Sequence, residues 1–159
     1  MENAVADTYR AAGYSVQQGV QVVLKGLPGE LDTIGVADFI AAKDGELIIG
    51  EVKNGLGAKL TQFQKALAGD ATALQRLAIV SEERAASLGL EAGTMLGKQL
   101  SAGARIMFTL EASFGSRAAG QAGRMWGAEA MGTRLLMGTL RVVGSVGMTI
   151  LTMEANVGQ

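Results

Sequence analysis

The sequence contains no cysteine and no histidine, and these two absences exclude more chemistry than any other feature of its composition. Without cysteine there is no disulfide framework, no thiolate zinc site and no cysteine nucleophile. Without histidine there is no Ser-His-Asp triad and no imidazole metal ligand. Any acid–base or metal chemistry must therefore use Asp, Glu, Lys or Tyr.

Charge of one sign and long apolar runs are missing as well. The 159 residues carry 14 Lys and Arg against 15 Asp and Glu. That balance excludes a strongly basic nucleic-acid coat and an acidic disordered tail. The longest uncharged apolar stretch, residues 142–153, has twelve residues, whereas a membrane-spanning helix needs about 20. With no basic and apolar leader at the N-terminus, we expect a soluble chain without a signal peptide and without stable membrane insertion.

The length suits one domain, which has two parts of different composition. Residues 1–88 hold every aspartate and carry a net charge of −3, from 8 basic and 11 acidic side chains. Residues 89–159 carry a net charge of +2 and hold 13 of the 23 glycines. We predict that residues 1–80 form the catalytic core and that residues 89–159 form a glycine-rich part of the same domain.

Periodicity and turn residues predict a helix followed by three strands in the first part. The predicted elements are a helix over 3–12 and strands over 15–24, 34–42 and 46–53. The pair Asp44-Gly45 predicts a two-residue hairpin turn between the last two strands. Thr61 and Ser81 are good N-cap residues, and each predicts the start of a helix.

Beyond residue 100 the pattern is less definite. Residues 104–110 have the composition of a strand, and residues 117–137 that of a helix rich in small residues. For residues 139–153 a glycine-turned hairpin and a further helix are both compatible with the sequence. We interpret the small residues of 117–153 as allowing close helix packing. The alternatives are a membrane-active segment, which charged residues interrupt, and a surface for an inhibitory partner.

The predicted hairpin brings two carboxylates together. With Asp44-Gly45 as the turn, Asp38 falls opposite Glu51, with their Cβ atoms about 5 Å apart on one face. Lys53 lies two residues further on and shares that face, while Ala37, Phe39, Gly50 and Val52 point the other way. Charges buried in apolar strands are costly without a compensating partner. Two neighbouring carboxylates suit a hard divalent cation such as Mg²⁺, and a nearby lysine can activate water and stabilise charge on a phosphoryl group. A solvated ion pair is the alternative.

These residues resemble the PD-(D/E)XK nuclease superfamily, which has the restriction-endonuclease-like fold. The resemblance rests on a helix, a strand, Asp38-Phe39, Glu51-Val52-Lys53 and a helix carrying Gln64, within about residues 1–70. The stretch Gly50–Gln64 (GEVKNGLGAKLTQFQ) is similar to the C-terminal nuclease domains of bacterial polymorphic toxins. The resemblance implies an α/β fold with a mixed central sheet flanked by helices. Ala37 stands where the motif has a proline.

The resemblance also implies a role for each residue of the motif. Asp38 and Glu51 would bind Mg²⁺ or Mn²⁺, with the Val52 carbonyl as a further ligand, and Lys53 would be the catalytic lysine. Gln64 matches a helix glutamine that lies near the metal or the substrate phosphate in many members. Thr61 and Gln64 also fit a T-x-x-Q capping box, in which Gln64 serves only the helix start.

Three further sets of residues are candidates for metal or phosphate binding, and a purely structural or solubilising role is the alternative for each. Glu2 takes the place of a first-helix glutamate that some members use as an additional ligand, but acids are favoured in any first helical turn. Asp32 is a fallback ligand, although the neighbouring Pro-Gly turn favours a solvated loop. Cations available for phosphate contacts are Arg10, Lys25, Lys59 and Lys65 in the first part and Arg105, Arg117, Arg124, Arg134 and Arg141 in the second.

We therefore predict a metal-dependent endonuclease, with DNA as the expected substrate and RNA as the other candidate. The toxin resemblance implies an upstream delivery module of a specialised secretion system such as type VI, action in the cytoplasm of a competitor, and a cognate immunity protein. The alternatives are a housekeeping repair or restriction nuclease, a non-enzymatic interaction domain and a membrane-perturbing toxin.

Overall fold

The computed structural model describes residues 2–54, 61–69, 71–113, 141–145 and 148–156. Its helices are α1 (Glu2–Ala11), α2 (Gln62–Gly69), α3 (Ala71–Gln75), α4 (Glu82–Ser87) and α5 (Leu96–Gln99). Its strands are β1 (Ser15–Leu24), β2 (Thr33–Lys43), β3 (Glu46–Asn54), β4 (Leu77–Ile79), β5 (Arg105–Ser113), β6 (Arg141–Ser145) and β7 (Met148–Asn156). None of the helices in these ranges is long and apolar enough to span a membrane.

The described strands form one mixed sheet with the order β4-β1-β2-β3-β5-β7-β6. Its pairs are antiparallel except β3 with β5, which run parallel. A parallel pair needs a crossover connection, and α2 to α5 lie between these two strands in the chain. The expected α/β class, with a mixed sheet flanked by helices, is confirmed.

The hairpin turn has the predicted type and register. Asp44 and Gly45 both have positive φ, 48° and 77°, as a type I′ turn requires at its two central residues. The ladder then pairs Lys43 with Glu46 and continues to Phe39 opposite Gly50. An added Cβ at Gly50 would lie 2.0 Å from Phe39 Cζ, so the Phe39 ring packs directly on the Gly50 backbone.

The sheet has a hydrophobic core on each face. The larger cluster contains Ile40 and Ile49 with side chains from α2, α3, α4 and α5. The smaller cluster packs Val5 and Ala6 of α1 against the sheet, with Phe39 among its members. The two clusters show that helices cover both faces, four on one side and α1 on the other.

β1 and β2 change face at one point. The ladder pairs Gln18 with Phe39 and Val20 with Ala37, and leaves out the Gly19–Asp38 position between them. Gly19 has a φ of +60°, which favours glycine. Ala37 packs in the larger cluster and Phe39 in the smaller one. The expectation that Ala37 shares the face of Phe39 is therefore wrong, because a strict period of two does not hold across this break.

Most predicted elements of the first part are confirmed, with bounds shifted by one or two residues. The sequence patterns did not predict α3, β4 and α5, whose five, three and four residues are too short for a period to register. In the second part, β5 extends the predicted strand, and β6 with β7 matches the hairpin alternative. The prediction of close helix packing is thus wrong for residues 141–145 and 148–153, because these residues form strands. The predicted helix 117–137 lies outside the described residues.

Candidate active site

Asp38 lies where the β2–β3 ladder ends. The last ladder pair is Phe39 with Gly50, so the predicted pairing of Asp38 with Glu51 is not part of the ladder. Asp38 is one residue and Val52 two residues beyond that pair, and the Val52 amide donates a hydrogen bond of 2.7 Å to Asp38 Oδ2. The aspartate side chain thus accepts the bond that a backbone carbonyl would accept in a continued ladder, and this holds the carboxylate against β3 beside Glu51.

Glu51 is a buried carboxylate, with only 3% of its surface exposed. Along β3, Ile49 belongs to the larger core cluster and Val52 to the smaller one. Alternation therefore directs Glu51 to the face of the larger cluster, on which α2 packs. Burying a carboxylate costs free energy unless a cation or hydrogen-bond donors compensate for the lost water.

Gln64 forms the predicted capping box. The Thr61 amide donates to Gln64 Oε1 at 3.0 Å, and the Gln64 amide donates to Thr61 Oγ1 at 3.1 Å. Gln64 is 5% exposed. The neighbouring Phe63 ring packs on Gly35 of β2, so α2 is fixed on the same face as Glu51. The capping interpretation is confirmed, and a role near a metal or phosphate stays a prediction.

Other predicted site residues are placed by their backbone alone. Lys53 lies in β3 and pairs with Ala112 of β5, and Glu2 is the first residue of α1. The side chains of both lie outside the described part, as does that of Lys65. Lys59 lies outside the described residues altogether. Among the predicted site residues with described side chains, Asp38 is bonded to the Val52 amide, and Glu51 lies on the sheet face on which α2 packs.

Asp32 belongs to the loop between β1 and β2. Its Oδ1 accepts a 2.8 Å hydrogen bond from the Gly26 amide, and its Oδ2 lies 3.7 Å from Lys25 Nζ. The residue is exposed. The solvated-loop interpretation is therefore confirmed, and Asp32 is separate from the Asp38–Glu51 pair.

The donor set fits one kind of metal site. Within the described residues there is no group of three or more His, Cys, Asp and Glu side chains that could hold a metal. Mg²⁺ usually binds proteins through one or two carboxylates and keeps waters or substrate phosphates as its other ligands. Asp38 and Glu51 fit such an open site. A closed structural site would need more protein ligands.

A second polar cluster lies at the other end of β3. The Tyr14 hydroxyl donates to Glu46 Oε2 at 2.9 Å, and Arg105 Nη1 lies 3.8 Å from Glu46 Oε1. Burial, and next the hydrogen bond to Glu46, raise the pKa of Tyr14 above its ordinary value near 10. Sequence patterns could not indicate this cluster, because its members are far apart in the chain.

The sequence patterns also did not indicate Thr109 as a buried polar residue. It pairs with Gly50 in the parallel ladder, is 4% exposed, and its Oγ1 has no hydrogen-bond partner within the described part of the chain. Threonine is common in strands, so no sequence signal marks it.

No family model, curated protein or solved structure matches this sequence. The function of the site must therefore be inferred from its chemistry and from the resemblance of its motif.

Proposed function

We propose that the protein is a metal-dependent nuclease that hydrolyses phosphodiester bonds, and that Asp38 and Glu51 bind its metal. The observation that carries the proposal is the 3% exposure of Glu51 beside Val52, whose amide holds Asp38. Burying a carboxylate costs free energy. A divalent cation would offset part of that cost and would use both carboxylates as ligands.

The order of elements supports assignment to the PD-(D/E)XK superfamily. The chain runs from α1 through β1 to the Asp38 strand, then to the Glu51 strand and to α2 with Gln64. This is the order on which the motif resemblance rests. We therefore propose the restriction-endonuclease-like fold for the catalytic core.

Each residue of the motif has a role that its position supports. The Val52 amide donates to Asp38 Oδ2, and Asp38 and Glu51 would be the two carboxylate ligands of the metal. The Val52 carbonyl and Glu2 are further candidate ligands. Lys53 follows Glu51 by two residues and would orient the attacking water and stabilise charge on the phosphate. When bound, Mg²⁺ or Mn²⁺ supplies Lewis acidity and lowers the pKa of water.

The proposed setting follows the toxin resemblance of residues 50–64. It is an antibacterial effector domain that a specialised secretion system delivers, that acts on DNA in the target cell, and that an immunity protein inhibits in the producer. A housekeeping repair or restriction nuclease would share the same site chemistry.

The test is digestion of plasmid DNA and of RNA by the purified protein with Mg²⁺, Mn²⁺ or EDTA. We expect cleavage with either metal and none with EDTA. Glu51→Gln and Lys53→Ala should each lower the rate by about a hundredfold or more. Glu91→Gln is the matched control, because Glu91 is exposed on a loop and its loss should leave the rate unchanged.

Metal binding gives a readout that does not depend on cleavage. Mg²⁺ at a hundred times its dissociation constant should stabilise the folded protein by about 2.7 kcal/mol, which raises the melting temperature. Glu51→Gln should abolish this shift, and Glu91→Gln should retain it. Folded protein that neither cleaves DNA or RNA nor responds to Mg²⁺ would contradict the proposal.

A further inference from the structure

A group of positively charged side chains lies beyond the end of β1. A surface pocket of about 490 Å³ opens there between the residues that follow β1 and the loop that precedes α5. Lys25, Asp32, Thr94 and Lys98 are among the residues that line it. The pocket is open to solvent and separate from the Asp38–Glu51 site.

Positive charge dominates around this pocket. Lys98 is exposed and makes no ion pair within the described residues. Lys25 Nζ is 3.7 Å from Asp32 Oδ2, and both side chains are well exposed, at 39% and 48%. Such an exposed pair is weak, so the ammonium group stays available to another anion. The Arg76 guanidinium donates to the Lys25 carbonyl at 3.0 Å and adds a third positive charge nearby.

Two carboxylates of the adjacent loop limit this charge. Asp32 lines the pocket and accepts from the Gly26 amide. Glu30 does not belong to the lining named above, and its Oε2 accepts from the Leu27 amide at 3.4 Å. The pocket itself thus has two lysines against one aspartate.

The pocket lies beyond the end of β1, and α5, which contributes Lys98 to it, packs on the same face of the sheet as Glu51. Lys25 follows Leu24, which pairs with Thr33, and Asp38 stands five residues further along β2. At about 3.3 Å per residue, the separation along the strand is about 17 Å. α5 packs through Leu96 on the larger core cluster, the face to which alternation directs Glu51. One strand of duplex DNA rises about 3.4 Å per nucleotide, so about five nucleotides span this distance.

We infer that Lys25, Lys98 and the Thr94 hydroxyl bind a backbone phosphate of the nucleic acid about five nucleotides from the cut. The inference rests on the proposed function and adds a substrate contact remote from the metal site. Ammonium groups contact phosphate without reading bases, so the contact is independent of sequence. Asp32 weakens it, because its carboxylate repels the phosphate and attracts Lys25.

The experiment uses two variants with opposite expected effects. Lys98→Gln removes a phosphate contact, whereas Asp32→Asn removes the repulsion and keeps an oxygen that can accept from the Gly26 amide. Lys43→Gln is the control for loss of one positive charge, because Lys43 lies at the hairpin turn, the opposite end of β2, where its ammonium group donates to the Ala12 carbonyl at 2.7 Å. Binding of labelled DNA and RNA duplexes about two helical turns long is measured in EDTA between about 50 and 200 mM salt.

We expect Lys98→Gln to weaken binding several-fold at low salt and to lower the slope of log K against log salt by about 0.9. Asp32→Asn should tighten binding, and Lys43→Gln should match the unaltered protein. Both site residues are exposed, so melting temperatures should stay the same. The same pattern with the RNA duplex alone would support the subsite and would show that the nucleic acid bound there is RNA.

Equal affinities for the unaltered protein, Lys98→Gln and Asp32→Asn would overturn the inference, as would no binding to either duplex. Metal-dependent cleavage by the unaltered protein, measured in parallel, separates the two proposals. Intact cleavage with equal affinities discards the subsite alone, whereas absent cleavage together with no response to Mg²⁺ discards the proposed function.

Discussion

Asp38 combines a structural contact with its proposed chemical role. One carboxylate oxygen accepts the Val52 amide bond at a point where the ladder between β2 and β3 has ended. That bond holds one carboxylate oxygen against the backbone of β3. At the scale of single residues, the site therefore depends on a backbone amide as much as on the two carboxylates.

Thr109 allows a stability prediction at the same scale. Its buried hydroxyl has no hydrogen-bond partner within the described part of the chain, and an unsatisfied buried group of this kind costs about 1–3 kcal/mol. Valine has the same shape and a similar preference for strands. We expect Thr109→Val to raise the free energy of unfolding by about 1 kcal/mol, measured by urea denaturation.

Thr33→Val is the control for that change. Thr33 is exposed at the start of β2, so its hydroxyl already has water as a partner, and its replacement should be close to neutral. A loss of stability in Thr109→Val would contradict the prediction, because it would show that the hydroxyl makes a favourable bond in the folded protein.

At the scale of elements, α2 depends on a reciprocal cap that includes a candidate site residue. Thr61→Ala and Gln64→Ala should each lower the free energy of unfolding by about 1 kcal/mol, because each removes one half of the capping box. Since Gln64 Oε1 is bound to the Thr61 amide, we expect equal and modest losses of nuclease activity in the two variants. Denaturation and plasmid cleavage measure the two effects.

Gln64→Glu is a variant that keeps the cap, because a glutamate side chain can also accept the N-cap amide bond in a capping box. Its stability should match that of the unaltered protein. A far greater loss of cleavage in Gln64→Ala than in Thr61→Ala, at equal stability, would assign Gln64 to the substrate or the metal and contradict the purely structural role.

At the scale of the whole molecule, the Tyr14–Glu46 bond ties the chain after α1 to the start of β3. Because folding raises the pKa of Tyr14, the unfolded chain loses this proton first as the pH rises. The contribution of the protonated Tyr14 to the free energy of unfolding is complete below about pH 10, the ordinary tyrosine pKa. It is lost as the pH rises through the higher pKa of the folded state.

Tyr14→Phe isolates this contribution. The unaltered protein should be the more stable of the two at pH 8, and its advantage should shrink as the pH is raised beyond about 10. Urea denaturation of both proteins from about pH 8 to 11 measures the difference. A constant difference over this range would contradict the expected linkage between Tyr14 ionisation and folding.

The features that the sequence alone predicted are local ones. Asp44-Gly45 specifies a type I′ turn through its own backbone preferences, and that turn sets which residues of β2 and β3 face each other. Thr61 and Ser81 cap the helices that follow them. In each case the determining residues lie within a few positions of each other, so a one-dimensional pattern contains the whole interaction.

Tertiary structure decided the features that join distant parts of the chain. The parallel pairing of β3 with β5, the cluster of Tyr14 with Glu46 and the position of Lys25 near Lys98 each join residues more than thirty apart. The change of face at Asp38 also escaped the pattern, because it requires Gly19 of the neighbouring strand to adopt a positive φ at the same level of the sheet. The sequence indicated Asp38 and Glu51 as candidates through the hairpin register, whereas the folded sheet determined where that ladder ends, how deeply Glu51 is buried and which backbone amide bonds to Asp38.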